Sequence, residues 1–442
     1  VSEARSGREW HSQSQFGVDG TTAKGPGGAR QECVQGYTGA VIRNVIFVAL
    51  CSGMLLSPAW SQDWPQLLGP NRDGVYPDEA FVPGEPRMLW SKDVGQGFAG
   101  PVVASNKLLL FHRVGGAERV DALNASTGEP IWSSESDTSY RDDFGFDEGP
   151  RAAPVVSGDR VYTFGAQGVL TARALDSGKE LWQVDTRARF GAPKGWFGSA
   201  SSPLVTGEHV VANVGGPDGA GIVAFDIASG EPVWSATDHE ASYSSPSLDA
   251  GRALFLTREG LVILNPADGS IFYEKRWKSR SRASVNAATP LVIGDVVFVS
   301  ASYGTGAVAL DFSAPAPVEL WSSDDVLSGH YATAVHLDGV LYGYHGRQEF
   351  GQSLRAVDLK TGKVHWSEDR FLAGSVTRVG HQLLLMRESG ELVIAEATPQ
   401  AFRAISNHQL LPGVVRAYPS LSDGRMCVRN VGTLACFDLS SD

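Results

Sequence analysis

At 442 residues the chain is long enough for two or three ordinary domains, or for one large repetitive one. Hydrophobic residues make up 42% and charged residues 19%, which excludes global disorder. The net charge of −12 gives no electrostatic reason to expect nucleic acid or anionic lipid as a partner. The 51 glycines and 11 tryptophans suit many tight turns between short strands, each anchored by a large aromatic.

Residues 1–40 are polar and Gly-rich without strand or helix periodicity, and are expected to be disordered or mistakenly translated upstream sequence, with translation starting at Val41. Residues 41–62 have the pattern of a cleavable signal peptide: Arg43, an apolar run from Val45 to Leu56, and the small residues Ala59 and Ser61 before a cleavage point. The run is short for a membrane span. Leu50 before Cys51 is bulkier than a lipidation site requires. The expected product is a mature chain beginning near Asp63, exported to the periplasm or the extracellular space.

From there one phrase recurs: an apolar pair, Asp or Asn, a turn with Gly, then an aromatic. It reads Ala122-Leu123-Asn124 to Trp132, Ala174-Leu175-Asp176 to Trp182, and Ala224-Phe225-Asp226 to Trp234. Ile263-Leu264-Asn265 to Phe272, Ala309-Leu310-Asp311 to Trp321 and Ala356-Val357-Asp358 to Trp366 follow, then a degenerate copy ending at Phe402 and a truncated one at Cys436-Phe437-Asp438. A second phrase, often Pro before apolar residues, is interleaved at Pro101, Pro154, Pro203, Pro246, Pro290, Ala334, Val376 and Pro419. The order is inner strand, turn, strand, loop, strand, Asp/Gly turn, outer strand with Trp. The fold class is therefore all-β: an eight-bladed β-propeller of four-stranded antiparallel blades, occupying 63–442 as one domain.

The last copy stops after its third strand, while a spare phrase, Arg87-Met88-Leu89-Trp90, precedes the first inner strand. An N-terminal strand that completes the last blade closes the ring and removes two sheet edges. The repeat residues need no function: Asp or Asn bonds its own turn, Gly takes the left-handed conformation, and Trp wedges between blades. Cys427 and Cys436 flank a hairpin turn at Asn430-Val431-Gly432-Thr433. Two buried thiols are the simpler reading, and a cross-strand disulfide is open in an oxidising compartment.

In such a ring the loops that lead into each blade, and those between its second and third strands, emerge on one face around the central channel, where a site should be sought. Blade 2 is led by a loop with Asp142, Asp143, Asp147, Glu148 and Arg151, and blade 3 by one with Trp196. Arg280, Arg282 and Asn286 lead into blade 5, whose other loop carries Tyr303. His330 and Tyr331 lead into blade 6, whose second loop holds His345, Arg347 and Glu349. The blade 6 residues are the most suggestive, since His330 can approach His345, Arg347 and Glu349 to bind an anion, or a metal if Asp142 or Asp147 reaches across. Paired carboxylates beside a cation also suit acid–base chemistry. The plainer reading is that these acids and bases pair with each other and cap loop backbone. Gly304-Thr305-Gly306 mimics a dinucleotide fingerprint but precedes a strand, and no protease, hydrolase or calcium-loop motif is present. No catalytic residue and no metal site is assigned.

The phrase Ala224-Phe225-Asp226…Gly230…Trp234 resembles the pyrroloquinoline-quinone (PQQ)-like repeat shared by quinoprotein alcohol dehydrogenases and, more distantly, by the propeller lipoprotein of outer-membrane assembly. The opening Asp63-Trp64-Pro65-Gln66-Leu67-Leu68-Gly69-Pro70-Asn71-Arg72-Asp73-Gly74 is similar to the start of exported propellers of this group. The resemblance covers about residues 63–442 and implies a fold rather than an activity. Quinone enzymes of the group carry an adjacent Cys-Cys pair, which this chain lacks, and there is no Cys-x-x-Cys-His for haem. The leading expectation is a non-catalytic, monomeric scaffold that binds a protein, peptide or glycan on its loop-rich face, without a cofactor. The alternatives are a PQQ- and Ca2+-dependent dehydrogenase of alcohols or sugars, and a sensor module with a membrane partner.

Overall fold

The computed structural model describes residues 62–281 and 285–440. The upstream segment, nearly all of the expected signal peptide, and Arg282 lie outside the described residues. Eight antiparallel sheets form the blades of a propeller: 102–137, 155–185, 204–236, 247–276, 291–323, 335–368, 374–409, and 420–440 joined by Pro83–Asp93. Closure follows the expected route. Pro83–Asp93 pairs antiparallel with Thr433–Ser440, setting Met88 opposite Phe437 and Trp90 opposite Cys436. Blade 7 also gains a short parallel strand, Val75–Tyr76, alongside its inner strand, which the repeat pattern did not foretell.

Why these runs become strands is visible in their burial. The second and third strands of each blade, such as Arg252–Leu256 and Gly260–Leu264, are packed on both faces, because a neighbouring blade lies against each side. The outer strands alternate towards solvent. The core accordingly sits between blades: Tyr162, Phe164 and Leu170 of blade 2 meet Val210, Val223 and Phe225 of blade 3.

The repeat aromatics bridge these junctions. The indole N–H of Trp90 donates to Ala125 O, that of Trp132 to Leu175 O, that of Trp182 to Ile227 O and that of Trp321 to Leu359 O, in each case in the next blade. Burying such a ring contributes about 2–3 kcal/mol. The repeat Gly has a second cause besides its left-handed backbone. A Cβ at Gly178 would come within 2.4 Å of the Trp132 ring, and one at Gly128 within 2.6 Å of Trp90. Blade 4 departs from the expected wedge: Phe272 is 60% exposed, Tyr273 packs edge-on against Phe312 of blade 5, and the indole N–H of Trp277, just past the outer strand, donates to Gly306 O of blade 5. The repeat Asp and Asn act as expected, Asp358 accepting from the N–H groups of Lys360 and Thr361.

Cys427 and Cys436 face each other across adjacent strands, with Cα atoms 4.0 Å apart, and are joined by a disulfide, which decides against the simpler reading of two free thiols. No helix among the described residues is long and apolar enough to cross a membrane.

The opening segment has a role the pattern did not reveal: it straps one end of the channel. Trp64 exchanges backbone hydrogen bonds with Val103 of blade 1, and Pro65 O accepts from Val156 N–H of blade 2. Arg72, 2% exposed, donates to Pro203 O and Pro246 O at the start of blades 3 and 4, and to Gln66 Oε1. Gly74 O accepts from Arg378 N–H of blade 7, and the Tyr76 hydroxyl from Gly424 N–H of blade 8. The strap meets the inner strands from the side of their first turns, opposite the loop-rich face.

Candidate functional site

The loop-rich face is organised by one repeated position. Phe98, Arg151, Tyr243, Tyr331 and Arg416 each stand three residues before the start of an inner-strand phrase, at Pro101, Pro154, Pro246, Ala334 and Pro419. Equivalent positions of successive blades ring the channel, so these side chains converge at its mouth. The Arg151 guanidinium lies 5.7 Å from the Phe98 ring and 5.3 Å from Phe197, and Arg416 lies 5.5 Å from Phe98 and 6.0 Å from Phe146. Phe197 packs edge-on against Tyr243. On the other side Arg416 donates to Glu388, which also accepts from the Tyr331 hydroxyl at 2.6 Å. Burial, then the Glu388 charge, push that hydroxyl well above its usual pKa, so it donates. His330 packs beside Tyr331 and sets its Nε2 3.0 Å from the Tyr303 hydroxyl. Arg347 covers the Tyr303 ring at 4.3 Å and pairs with Glu349 at 2.7 Å. Contact by contact, the set passes through all eight blades.

The charged members are largely neutralised in place. Arg151 is held by Asp142 at 3.2 Å and by the carbonyls of Asp147 and Phe197. Asp143 pairs with Lys194, and Glu148 with Arg141 at 3.0 Å. What remains open is apolar: Phe144 and Phe146 are 55% and 61% exposed, stacked on each other and packed at a tilt against Phe197, with Trp196 edge-on to Phe144. The Trp196 and Phe197 N–H groups donate to the Tyr243 hydroxyl, and Arg258 lies 4.9 Å from the Trp196 ring.

The expected blade 6 cluster divides. His330 keeps company with Tyr303, Tyr331 and the Arg347–Glu349 pair, and its burial lowers its pKa, leaving it neutral with Nδ1 unpartnered. His345 does not join it: its Nδ1 accepts from Ser328 N–H, and burial, then Arg355, push it down to about 4. Two further expected residues are spent on loop backbone. Asp147 accepts from the N–H groups of Gly97 and Gly149, and the Asn286 amide donates to Thr257 O and Trp277 O. Arg280 is exposed at the rim. Neither Asp142 nor Asp147 reaches across to the histidines. Phe98, Tyr243, Glu388 and Arg416 were missed, although the offset from the inner-strand Pro, a purely positional signal, marks three of the four.

Residues 116–368, from the third strand of blade 1 through blade 6, match the family model described as outer membrane protein assembly factor BamB, more than half of the 442 residues. The chain belongs to this family of PQQ-like propellers. Among curated relatives, the outer membrane protein assembly factor BamB of Yersinia pestis is 25% identical over 228 residues, covering 49% of this chain and 56% of the relative. That of Moranella endobia (strain PCIT) is 25% identical over 254 residues, covering 55% and 63%. The chain thus spans about six tenths of the length of these relatives. Of solved structures, BamB from Moraxella catarrhalis superposes with a TM-score of 0.60 at 16% identity, covering 80% of this chain and 98% of that one. Quinohemoprotein alcohol dehydrogenase from Comamonas testosteroni gives 0.62 at 15% identity, covering 86% and 81%. These superpositions establish the fold of the family and nothing of its chemistry here.

The donor set does not suit a calcium-bound quinone. Among the described residues no three His, Cys, Asp or Glu side chains stand together to hold a metal ion, and the cysteines at 427 and 436 are tied to each other.

Proposed function

We propose that the chain is an exported binding protein whose loop face takes a polypeptide segment, in an envelope-assembly role like that named for its relatives. The carrying observation is the solvent-exposed Phe144–Phe146 pair, set beside a mouth whose charges are already paired. Exposed aromatics on a rigid rim, flanked by arginines, are the composition of an interface anchor. A small charged metabolite would call for unpaired charge instead. The disulfide and the leader pattern of 41–62 support an oxidising compartment outside the cytoplasm.

Immobilised mature chain is expected to retain a defined set of envelope polypeptides. The double variant F144A/F146A, altered only at exposed positions, is expected to retain at least about tenfold less with an unchanged melting transition. Undiminished capture would place the contact elsewhere. Alcohol-dependent dye reduction by protein supplied with PQQ and Ca2+ would overturn the reading in favour of a dehydrogenase.

A further inference from the structure

We infer that the chain has a second ligand site at the strap end of the channel, opposite the loop face, and that it takes a small neutral polyhydroxylic molecule such as a single sugar ring. A cavity of about 250 Å3 lies there, between Asn71, Arg72 and Asp73 of the strap, Ser247–Asp249 of the blade 4 inner strand, and Pro290, Leu291 and Val292 of blade 5. That is far more than one water needs and a little below the roughly 300–1,000 Å3 of sites for drug-sized ligands. Leu248, 42% exposed, marks where it opens to solvent.

The wall presents backbone groups that the ladders do not use. A tight turn joins each inner strand to the second, pairing Ala104 with Lys107, Asp249 with Arg252 and Ile293 with Val296. The residue beside such a turn is hydrogen-bonded across the ladder, so the one before it faces its N–H and C=O towards the channel. In blades 1, 2 and 7 the strap takes up these groups, at Val103, Val156 and Arg378. The equivalent residues of blades 4 and 5 are Leu248 and Val292, and neither has a hydrogen bond to the strap among the described residues. The Val292 side chain packs between the blades, which leaves its backbone to line the cavity. Pro290 O is likewise the counterpart of Pro203 O and Pro246 O, which Arg72 occupies in blades 3 and 4.

The side chains narrow the ligand class. Asn71 adds an amide, and Ser247, 4% exposed on the same wall, has a hydroxyl without a partner among the described residues. The charges balance: Arg72 and Asp73 are opposite in sign, and Asp249 is paired with Arg252 at 3.3 Å. An ion would leave one sign in excess, whereas hydroxyl groups both donate to the carboxylates and Pro290 O and accept from N–H groups.

Ligand-observed NMR on the intact mature chain tests this with d-glucose and d-glucuronate as probes. Saturable binding of glucose is expected, with glucuronate at least about tenfold weaker because its carboxylate meets Asp73 and Asp249. L248W, which brings an indole to the opening, is expected to weaken glucose by at least about tenfold, and N71A, altered at an exposed position, by about fivefold. F144A/F146A is expected to bind glucose as the natural chain does, so this result and the loop-face reading stand or fall separately. No saturable glucose binding overturns the inference. So does binding that survives both L248W and N71A, or that is lost in F144A/F146A, since the sugar then sits elsewhere.

Discussion

Replacing Arg72 with Met is expected to lower the stability of the folded ring by about 2–4 kcal/mol, read as a shift of the denaturant midpoint. Arg72 is a fully buried guanidinium whose acceptors among the described residues are all neutral: one glutamine oxygen and the carbonyls that open the inner strands of blades 3 and 4. Burial pushes its pKa down to about 9, so at neutral pH it is still charged and its desolvation opposes folding. The hydrogen bonds of a charged donor outweigh this, at about 1.5–3 kcal/mol each. Methionine keeps much of the length but leaves both strand-opening carbonyls without their donor. Lysine keeps the charge but cannot fork to acceptors in two blades, so R72K is expected to fall between R72M and the natural chain. A loss below about 1 kcal/mol for R72M would mean that the strap is held chiefly by its other contacts, through Trp64, Pro65, Gly74 and Tyr76.

The second large effect concerns Glu118, 5% exposed between blades 1 and 2, whose Oε1 accepts from Ala166 N–H. Burial raises its pKa to about 7, against the pull of that hydrogen bond, Arg113 and Arg173. A carboxyl whose folded pKa lies above its unfolded value contributes stability that is complete below the unfolded pKa. That stability is lost as pH rises through the folded pKa. The window here runs from the ordinary value of 4.5 up to about 7. Glutamine keeps the acceptor for Ala166 and cannot ionise. E118Q is thus expected to match the natural chain at pH 4 and to exceed it by about 3 kcal/mol above pH 7, at about 1.4 kcal/mol per pKa unit. A difference that does not change with pH would contradict the raised pKa. The outcome bears on the site, because the Ala166 carbonyl in turn accepts from Ser199 N–H, just beyond Trp196 and Phe197.

The propeller was legible because its determinants are local and repeated. Each Asp or Asn writes its own turn, each Trp reaches the next blade, and the Gly beneath it is dictated by the ring above. Even the closure could be read, from a missing strand at one end and a spare at the other. The strap could not, since Asp63–Gly74 occurs once and its partners are backbone carbonyls far away in sequence. At the mouth, charge drew attention to Asp147, Asn286 and His345, whose polar atoms are consumed by loop N–H and C=O groups. Sequence shows which loops are polar but not which polar atoms their own backbone will claim. Phe98 and Arg416 carry no local motif and become visible only when the repeats are aligned on the inner-strand Pro.

The binding face is tested most directly by site-specific photo-cross-linking in living cells, with a photoreactive phenylalanine at position 146 on the loop face, 131 on the outer strands or 249 beside the strap. Polypeptide adducts from position 146, and none from 131 or 249, are the expected result. Adducts from 131 or 249 with position 146 silent would contradict it.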